Sequence, residues 1–153
     1  MEKFSSFAQL YLRVAIGVSY LVFGFDRLGV WGNYGSKNIS WGDWEHFMQY
    51  ATEVMSFLPA TVVSLLAIVA TIAEIVFGVL LVLGKWTRVA AFGSGILAFF
   101  FAISMAISFG IASPLSYSVF TVSAASFLLA FCKNYKWSLD NLVTNYKLRY
   151  ERI

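Results

Sequence analysis

The sequence predicts an all-α fold: a membrane-embedded four-helix bundle, with a short amphipathic helix between the first two spans and a surface helix at the C-terminus. Of the 153 residues, 59% are apolar and only 12% are charged, whereas soluble domains carry about a quarter charged residues. Four apolar runs also approach the roughly 20 residues that cross the hydrocarbon core of a bilayer. We expect these spans, within a single membrane domain of residues 1–153, at residues 6–25, 60–83, 89–109 and 114–132.

The segment between the first two runs predicts a helix of its own, over residues 41–57. Its apolar residues recur at helical spacing, with the acidic residues off that stripe: Trp44, Phe47, Ala51, Met55 and Leu58. Tryptophan rings favour the headgroup layer of a membrane, so we expect this helix to lie on the outer surface or to cover the bundle. The tail, residues 133–153, carries apolar residues on one side with basic residues among them, which predicts a second surface helix.

The charged residues between the apolar runs predict how the chain is oriented in the membrane. The tail holds five basic against two acidic residues, the turn after the second run holds Lys85 and Arg88, and residues 26–58 hold two basic against four acidic. Because basic residues accumulate on the cytoplasmic side, we expect both termini to be cytoplasmic and residues 26–58 to lie outside. Arg13 interrupts the apolar start and no clear cleavage motif follows, so we expect the first span to be retained. The net charge of +3 is too small, and too concentrated at the ends of the chain, to suggest nucleic acid as a partner.

One carboxylate stands inside the second run. Glu74 is the only charged residue there, and a charge within a membrane span is costly unless it has a partner or a task. Its helical face is small and polar, with Ala67, Ala70, Thr71 and Gly78, so we expect it to face the protein interior. Arg13 lies about 9 Å and Glu74 about 15 Å from the cytoplasmic ends of their helices. The sequence therefore predicts an Arg13–Glu74 ion pair joined by two parallel hydrogen bonds.

A polar stripe on the first run faces this carboxylate in the predicted bundle and contains Arg13, Gly17, Tyr20, Gly24 and Arg27. We expect a small polar cavity whose ligand-binding residues are Arg13, Gly17, Tyr20, Gly24, Thr71, Glu74 and Gly78. The glycines leave space and the tyrosine offers a hydroxyl. Three interpretations remain open: a structural pair that fixes helix register, a site for a quinone-like or other amphipathic ligand, and a proton or ion path. The path is the least supported, because the third and fourth runs provide no ionisable group for a relay.

The remaining reactive side chains are few. The single histidine and single cysteine exclude an internal disulfide, a thiol pair, a haem held by two histidines of one chain, and a histidine cluster for a metal. We expect His46 on the surface of the outer helix, and Cys132 as a packing residue or a lipidation site at the end of the fourth run. No metal and no catalytic residue is predicted, and the only expected small molecule is a non-covalently held quinone or lipid.

Two stretches resemble DoxX-type membrane proteins. The first, LRVAIGVSYLVFGFDRLG, carries Arg13, Gly17, Gly24 and Arg27. The second, AEIVFGVLLVLGKWTRVAA, resembles the hinge between the family's second and third spans, with Glu74, Gly78, Gly84, Thr87 and Arg88 in the expected places. Phe23 departs from the pattern, since many members have a histidine there. The resemblance covers residues 10–130.

The resemblance implies a four-helix, multi-pass protein of the bacterial cytoplasmic (inner) membrane. Relatives include the membrane subunit of a thiosulfate:quinone oxidoreductase and a complex tied to oxidative stress. We therefore expect an accessory subunit that binds a quinone-like or other amphipathic ligand near a buried Arg–Glu pair and is linked to redox or stress physiology. Its expected partners are membrane lipid, a membrane or redox protein, and a second copy of the chain. The alternatives are a structural or assembly (chaperone-like) protein without a ligand, and a small-solute transporter. Whether it is an enzyme is left open.

Overall fold

The computed structural model of the chain describes residues 2–133 and 135–143. The helices in this part are α1 (Glu2–Asp26), α2 (Trp44–Val54), α3 (Ala60–Leu83), α4 (Thr87–Phe109), α5 (Ala112–Ser116) and α6 (Val119–Ala130). Residues 139–143 are also helical, and no strand occurs among the described residues. The predicted all-α class is confirmed.

Three helices are long and apolar enough to cross a membrane: Phe4–Asp26, Ala60–Leu83 and Thr87–Phe109. They agree with the first three predicted spans. The fourth predicted span, residues 114–132, is instead divided between α5 and α6, because the chain turns at Ser118, whose φ of 57° is left-handed. Pro114 fits only in the first turn of a helix, and the Ser-Tyr-Ser sequence that follows favours a turn, since serine hydroxyls compete for backbone hydrogen bonds. The resulting α6 has only 12 residues.

The first and third helices cross at two glycines. A Cβ added to Gly17 would lie 3.0 Å from the carbonyl oxygen of Gly78, and a Cβ added to Gly78 would lie 3.0 Å from that of Gly17. Small residues at a crossing let two membrane helices approach closely. Further along the same interface, a Cβ at Gly24 would lie 2.8 Å from Cγ1 of Ile75. These contacts fix the antiparallel register of α1 against α3.

The second helix lies against α3 and α4 at the end of the bundle where α1 finishes. Phe47 and Ala51 pack with Val63 and Ala67 of α3 in one buried cluster, and the backbone oxygen of Val54 accepts a 2.7 Å hydrogen bond from Ser108 of α4. The expectation that residues 41–57 form a helix covering the bundle is thus confirmed, with the helix confined to Trp44–Val54.

At the opposite end, residues 135–143 pack on the turn between α3 and α4. Both carboxylate oxygens of Asp140 accept hydrogen bonds, from the backbone N–H groups of Trp86 and Thr87, each at 2.8 Å. The first N–H groups of a helix have no partner within it, so this carboxylate caps α4 from outside. The predicted tail helix is present over residues 139–143, and its continuation lies outside the described residues.

Candidate functional site

Glu74 forms a buried ion pair with Arg27. The side chain of Glu74 is 5% exposed and that of Arg27 3%, and Nη2 of Arg27 lies 3.0 Å from both Oε1 and Oε2 of Glu74. Nη1 donates a 3.0 Å hydrogen bond to the hydroxyl of Thr71, which in turn donates to the backbone oxygen of Ala67 at 2.8 Å. A single nitrogen thus bridges the carboxylate, in place of the two parallel hydrogen bonds expected.

The predicted Arg13–Glu74 pair is wrong. The antiparallel register that Gly17 and Gly78 set brings Arg13 opposite Gly84, at the far end of α3, where its Nη2 donates to the backbone oxygen of Trp137 at 2.8 Å. The same register brings Arg27, one residue beyond α1, opposite Thr71 and Glu74. Counting helix rise from the cytoplasmic ends placed Arg13 and Glu74 at similar depths in the membrane. That count takes no account of the axial shift of one helix relative to the other.

Three aromatic rings surround the guanidinium of Arg27. Its central carbon lies 4.1 Å from the ring centroid of Phe47, 5.1 Å from that of Trp41 and 5.9 Å from that of Phe101. A guanidinium within about 6 Å of an aromatic face is attracted by the ring quadrupole, and more strongly when both are removed from water. The rings come from α2, α4 and the segment before α2, so Arg27 joins these elements to α1 and α3.

A second buried carboxylate lies beside this pair in the sequence. Asp26 is 3% exposed, and its Oδ2 accepts hydrogen bonds from the backbone N–H groups of Ser40 and Trp41, at 3.1 and 2.9 Å. These bonds hold the segment before α2 against the end of α1 and thereby fix the Trp41 ring near Arg27. Within the described part of the chain, Oδ1 of Asp26 has no hydrogen-bond partner.

The ion pair lies in the wall of a cavity of about 520 Å³ between α1, α4 and α6. Small-molecule sites commonly have volumes of about 300–1,000 Å³ and combine apolar walls with a few polar groups. The polar side chains of this wall are Ser19, Tyr20, Arg27, Ser40, Tyr50, Glu74 and Tyr117, and the apolar ones include Trp41, Leu97, Phe101, Met105 and Val122. Tyr20 donates a 2.8 Å hydrogen bond to the backbone oxygen of Ser94.

A second cavity, of about 460 Å³, lies between α2, α3 and α4. Its wall is almost entirely apolar, with Tyr50 and Ser104 as the polar exceptions. Tyr50, Leu97 and Phe101 contribute to the walls of both cavities, so these side chains separate the polar cavity from the apolar one.

The predicted site residues are divided among three places. Tyr20 and Glu74 line the cavity that contains the ion pair, and Thr71 contacts that pair through Arg27. Three glycines lie in the packed α1–α3 interface and not in the cavity wall: Gly17, Gly24 and Gly78. Arg13 lies at the other end of the bundle. The predicted cavity around Arg13 and Glu74 is therefore replaced by one around Arg27 and Glu74, and ligand binding there stays a prediction.

Sequence reasoning missed most of the cavity wall. Arg27 was placed on the polar stripe with Tyr20 and Gly24, but it was not predicted as the partner of Glu74. Trp41 and Tyr50 were assigned to an outer helix, with no predicted contact to the site. Tyr117 lies beside the turn that divides the fourth apolar run. No pattern within a single helix predicts that these side chains converge.

His46 and Cys132 lie away from the cavity. The His46 ring stacks on Tyr34, with centroids 3.6 Å apart, and its Nδ1 lies 2.8 Å from Oδ2 of Asp43. Hydrogen bonds from the backbone and side chain of His46 lower the pKa of the Asp43 carboxyl, which caps α2. Cys132 is half-buried at the end of α6. Among the described residues no three His, Cys, Asp or Glu side chains are grouped as metal ligands would be.

Three long apolar helices, an ion pair shielded inside them and a lateral cavity define a helical integral membrane protein. The sequence model of the DoxX family matches residues 8–109, more than half of the chain, and the chain belongs to this family. No curated protein and no solved structure matches it. The family match contains Arg27 and Glu74, whereas the wall that α6 contributes to the cavity lies beyond it.

Proposed function

We propose that this DoxX-family protein binds an amphipathic, lipid-soluble ligand such as a quinone, with the polar head group beside Arg27 and Glu74. The observation that carries the proposal is the position of the ion pair. A purely structural pair needs only to be enclosed by side chains, yet this one lies in the wall of a cavity of about 520 Å³. Ionisable residues inside membrane spans commonly mark the path or site of a substrate.

The site is held in place by contacts within the protein. Thr71 and three aromatic rings fix the guanidinium, and Asp26 anchors the segment that carries Trp41. A site that is already ordered costs little conformational entropy when a ligand binds. Such support would lower the entropic cost of binding a ligand at this site.

The position of the cavity mouth favours a ligand that arrives from the lipid. Tyr20 of α1 and Leu129 of α6 belong to one buried cluster, so both helices contribute to the core on that side of the cavity. Toward the α2 end, Phe23 is 44% and Tyr117 74% exposed, and both line the cavity. We propose that the gap between α1 and α6 opens sideways into the bilayer.

The charges at the two ends of the bundle support an orientation with both termini in the cytoplasm of a bacterial cell. Lys85, Arg88 and Lys136 are exposed near the α3–α4 turn, whereas Glu45 and Glu53 are exposed on α2. By the positive-inside tendency, the α2 end then faces outward and the cavity lies in the outer half of the membrane.

An accessory role is proposed as well. The chain has one cysteine and one histidine, so electron transfer to a bound quinone would use a redox protein partner.

Filling the cavity tests the proposal. The probe is a benzoquinone with a ten-carbon tail, offered in both its oxidised and its reduced form to protein purified in detergent. Val122→Phe places a ring in the cavity wall, and Val76→Phe places the same ring on an exposed position of α3 outside it. We expect at least about tenfold weaker binding for the first variant and unchanged binding for the second. Equal binding by both variants, or no binding by the native protein, would contradict the proposal and favour a structural pair.

A further inference from the structure

We propose that the end of the bundle at the α3–α4 turn binds an anionic phospholipid, whose head group is held by basic side chains of two stretches. One stretch is the turn itself, residues 84–88, and the other is the segment after α6, residues 131–133 and 135–143. This surface lies at the opposite end of the bundle from the cavity beside Arg27 and Glu74. The inference is therefore independent of the ligand proposed for that cavity.

The turn lies where two membrane spans end. Only residues 84–86 join α3 to α4, and both helices are long and apolar enough to cross a membrane, so the turn lies at the level of the lipid head groups. Two contacts hold the segment after α6 at the same level. The backbone N–H of Asp140 donates to the backbone oxygen of Gly84 at 3.0 Å, and Nη2 of Arg88 donates to that of Cys132 at 3.3 Å.

The exposed charged side chains of these two stretches are all basic: Lys85, Arg88, Lys133 and Lys136. Asp140 is the one acidic residue of the same stretches, and its carboxylate accepts hydrogen bonds from the backbone N–H groups of Trp86 and Thr87. That carboxylate therefore occupies the start of α4, and the basic side chains outnumber it on the surface. A basic residue close to an anionic membrane surface strengthens binding by about fivefold.

Two tryptophans accompany the basic residues. Trp86 is 65% and Trp137 61% exposed, and indole rings favour the head-group layer of a membrane. Both residues have a left-handed backbone, with φ of 48° and 54°, a conformation that is unfavourable for a bulky side chain. Nζ of Lys85 lies 5.4 Å from the centroid of the Trp86 ring, so a positive charge and an apolar ring meet at one place.

The apolar side chains of the segment after α6 favour a lipid over a free phosphate. Phe131, Leu139 and Leu142 are exposed beside the basic residues, where they can contact the first methylene groups of acyl chains. A free phosphate would use only the charges. A zwitterionic lipid would gain less than an anionic one, because its head group also carries a positive charge that the basic side chains repel.

Binding of lipids to the full chain in detergent is measured by native mass spectrometry. The probes are dioleoyl phosphatidylglycerol, dioleoyl phosphatidylcholine with the same acyl chains, and soluble glycerol phosphate, which has the anionic group without the chains. We expect phosphatidylglycerol to bind at least about tenfold tighter than phosphatidylcholine, and glycerol phosphate at equal concentration not to displace it. Equal binding of the two lipids, or displacement by glycerol phosphate, would overturn the inference.

Single substitutions assign the binding to this surface. Lys85→Gln and Lys136→Gln each remove one exposed positive charge from it, whereas Lys37→Gln removes one from the exposed segment before α2. We expect the first two variants to bind phosphatidylglycerol about fivefold more weakly and the third to bind it as the native chain does. The same loss in all three variants would show that binding follows net charge and not this surface.

The dependence on salt gives a second readout, by thermal melting of the native chain with each lipid, since a bound lipid raises the melting temperature. Raising the ionic strength from about 0.1 M to about 1 M shortens the Debye length from about 10 Å to about 3 Å. The extra stabilisation by phosphatidylglycerol should therefore decrease, while that by phosphatidylcholine stays the same. An extra stabilisation that salt does not change would contradict a site held together by charge.

Discussion

Nη2 of Arg27 lies 3.0 Å from each carboxylate oxygen of Glu74, across the interface of α1 and α3. Both side chains are nearly fully buried. Each charge therefore compensates the other, and removing either one would leave an unpaired charge in the interior. The contact also joins the end of α1 to the middle of α3. A structural role and a role in ligand binding are therefore compatible in the same pair.

The pair predicts a specific pattern of stability. Removing one partner of a buried ion pair costs about 3–5 kcal/mol, whereas replacing both by apolar residues is often nearly neutral. We expect Arg27→Leu and Glu74→Leu each to lower the melting temperature in detergent, and the double variant to recover most of the loss. Thermal melting of the four proteins gives the coupling energy between the two sites.

Arg13 provides the control for this cycle. It makes its hydrogen bond to the backbone of Trp137 and not to Glu74, so the effects of Arg13→Leu and Glu74→Leu should add without coupling. A coupling for Arg13 that exceeds the coupling for Arg27 would contradict the observed partner.

The comparison of sequence and structure shows which information a single sequence carries. Hydropathy and length located α3 and α4 almost to the residue, because each of these helices alone meets the length and apolar composition needed to span a membrane. The burial of Glu74 followed in the same way, since a charge inside an apolar run has to face the protein. These properties belong to one helix at a time.

Properties of two helices together were not predictable. The partner of Glu74 depends on the register between α1 and α3, which the contact of Gly17 with Gly78 decides. Both glycines were noted in the sequence as small residues and were expected to leave space for a ligand. In the structure they pack against each other in the α1–α3 interface. The cavity is even harder to predict from the sequence, because its wall combines residues of α1, α4 and α6 with the segment around Trp41 and Tyr50.

The cap that Asp140 provides predicts a link between the C-terminal segment and α4. Its carboxylate accepts two backbone hydrogen bonds at the start of α4, and losing such a cap costs about 1 kcal/mol. We expect Asp140→Ala to loosen residues 135–143 and to speed tryptic cleavage after Lys136, which is exposed, several-fold in limited proteolysis. Asn141→Ala, the neighbouring residue, serves as the control. Identical cleavage rates for the two variants would show that the cap does not hold the segment.

The cap of α2 predicts a dependence on pH. Hydrogen bonds from His46 lower the pKa of Asp43 in the folded protein, so its stabilising contribution is present above the unfolded-state pKa of about 3.9 and is lost as the pH falls through the lower folded-state pKa. We expect tryptophan fluorescence, to which Trp41 and Trp44 contribute, to change in this acidic window as α2 loosens. In Asp43→Asn, which caps without titrating, this change should be reduced. A transition of the same size in that variant would assign it to another group.

Cysteine labelling decides the orientation on which the position of the cavity depends. With Cys132→Ser as the background, Ser36→Cys places a thiol in the exposed segment before α2, and Lys136→Cys places one at the exposed opposite end. The acidic excess of residues 26–58 and the basic residues around the α3–α4 turn predict that a membrane-impermeant thiol reagent labels the first in intact cells. The second should react only after the membrane is permeabilised, because the positive-inside tendency keeps that end in the cytoplasm. The reverse pattern would place the mouth of the cavity in the inner half of the bilayer, so that ligands would reach Arg27 and Glu74 from the cytoplasmic leaflet.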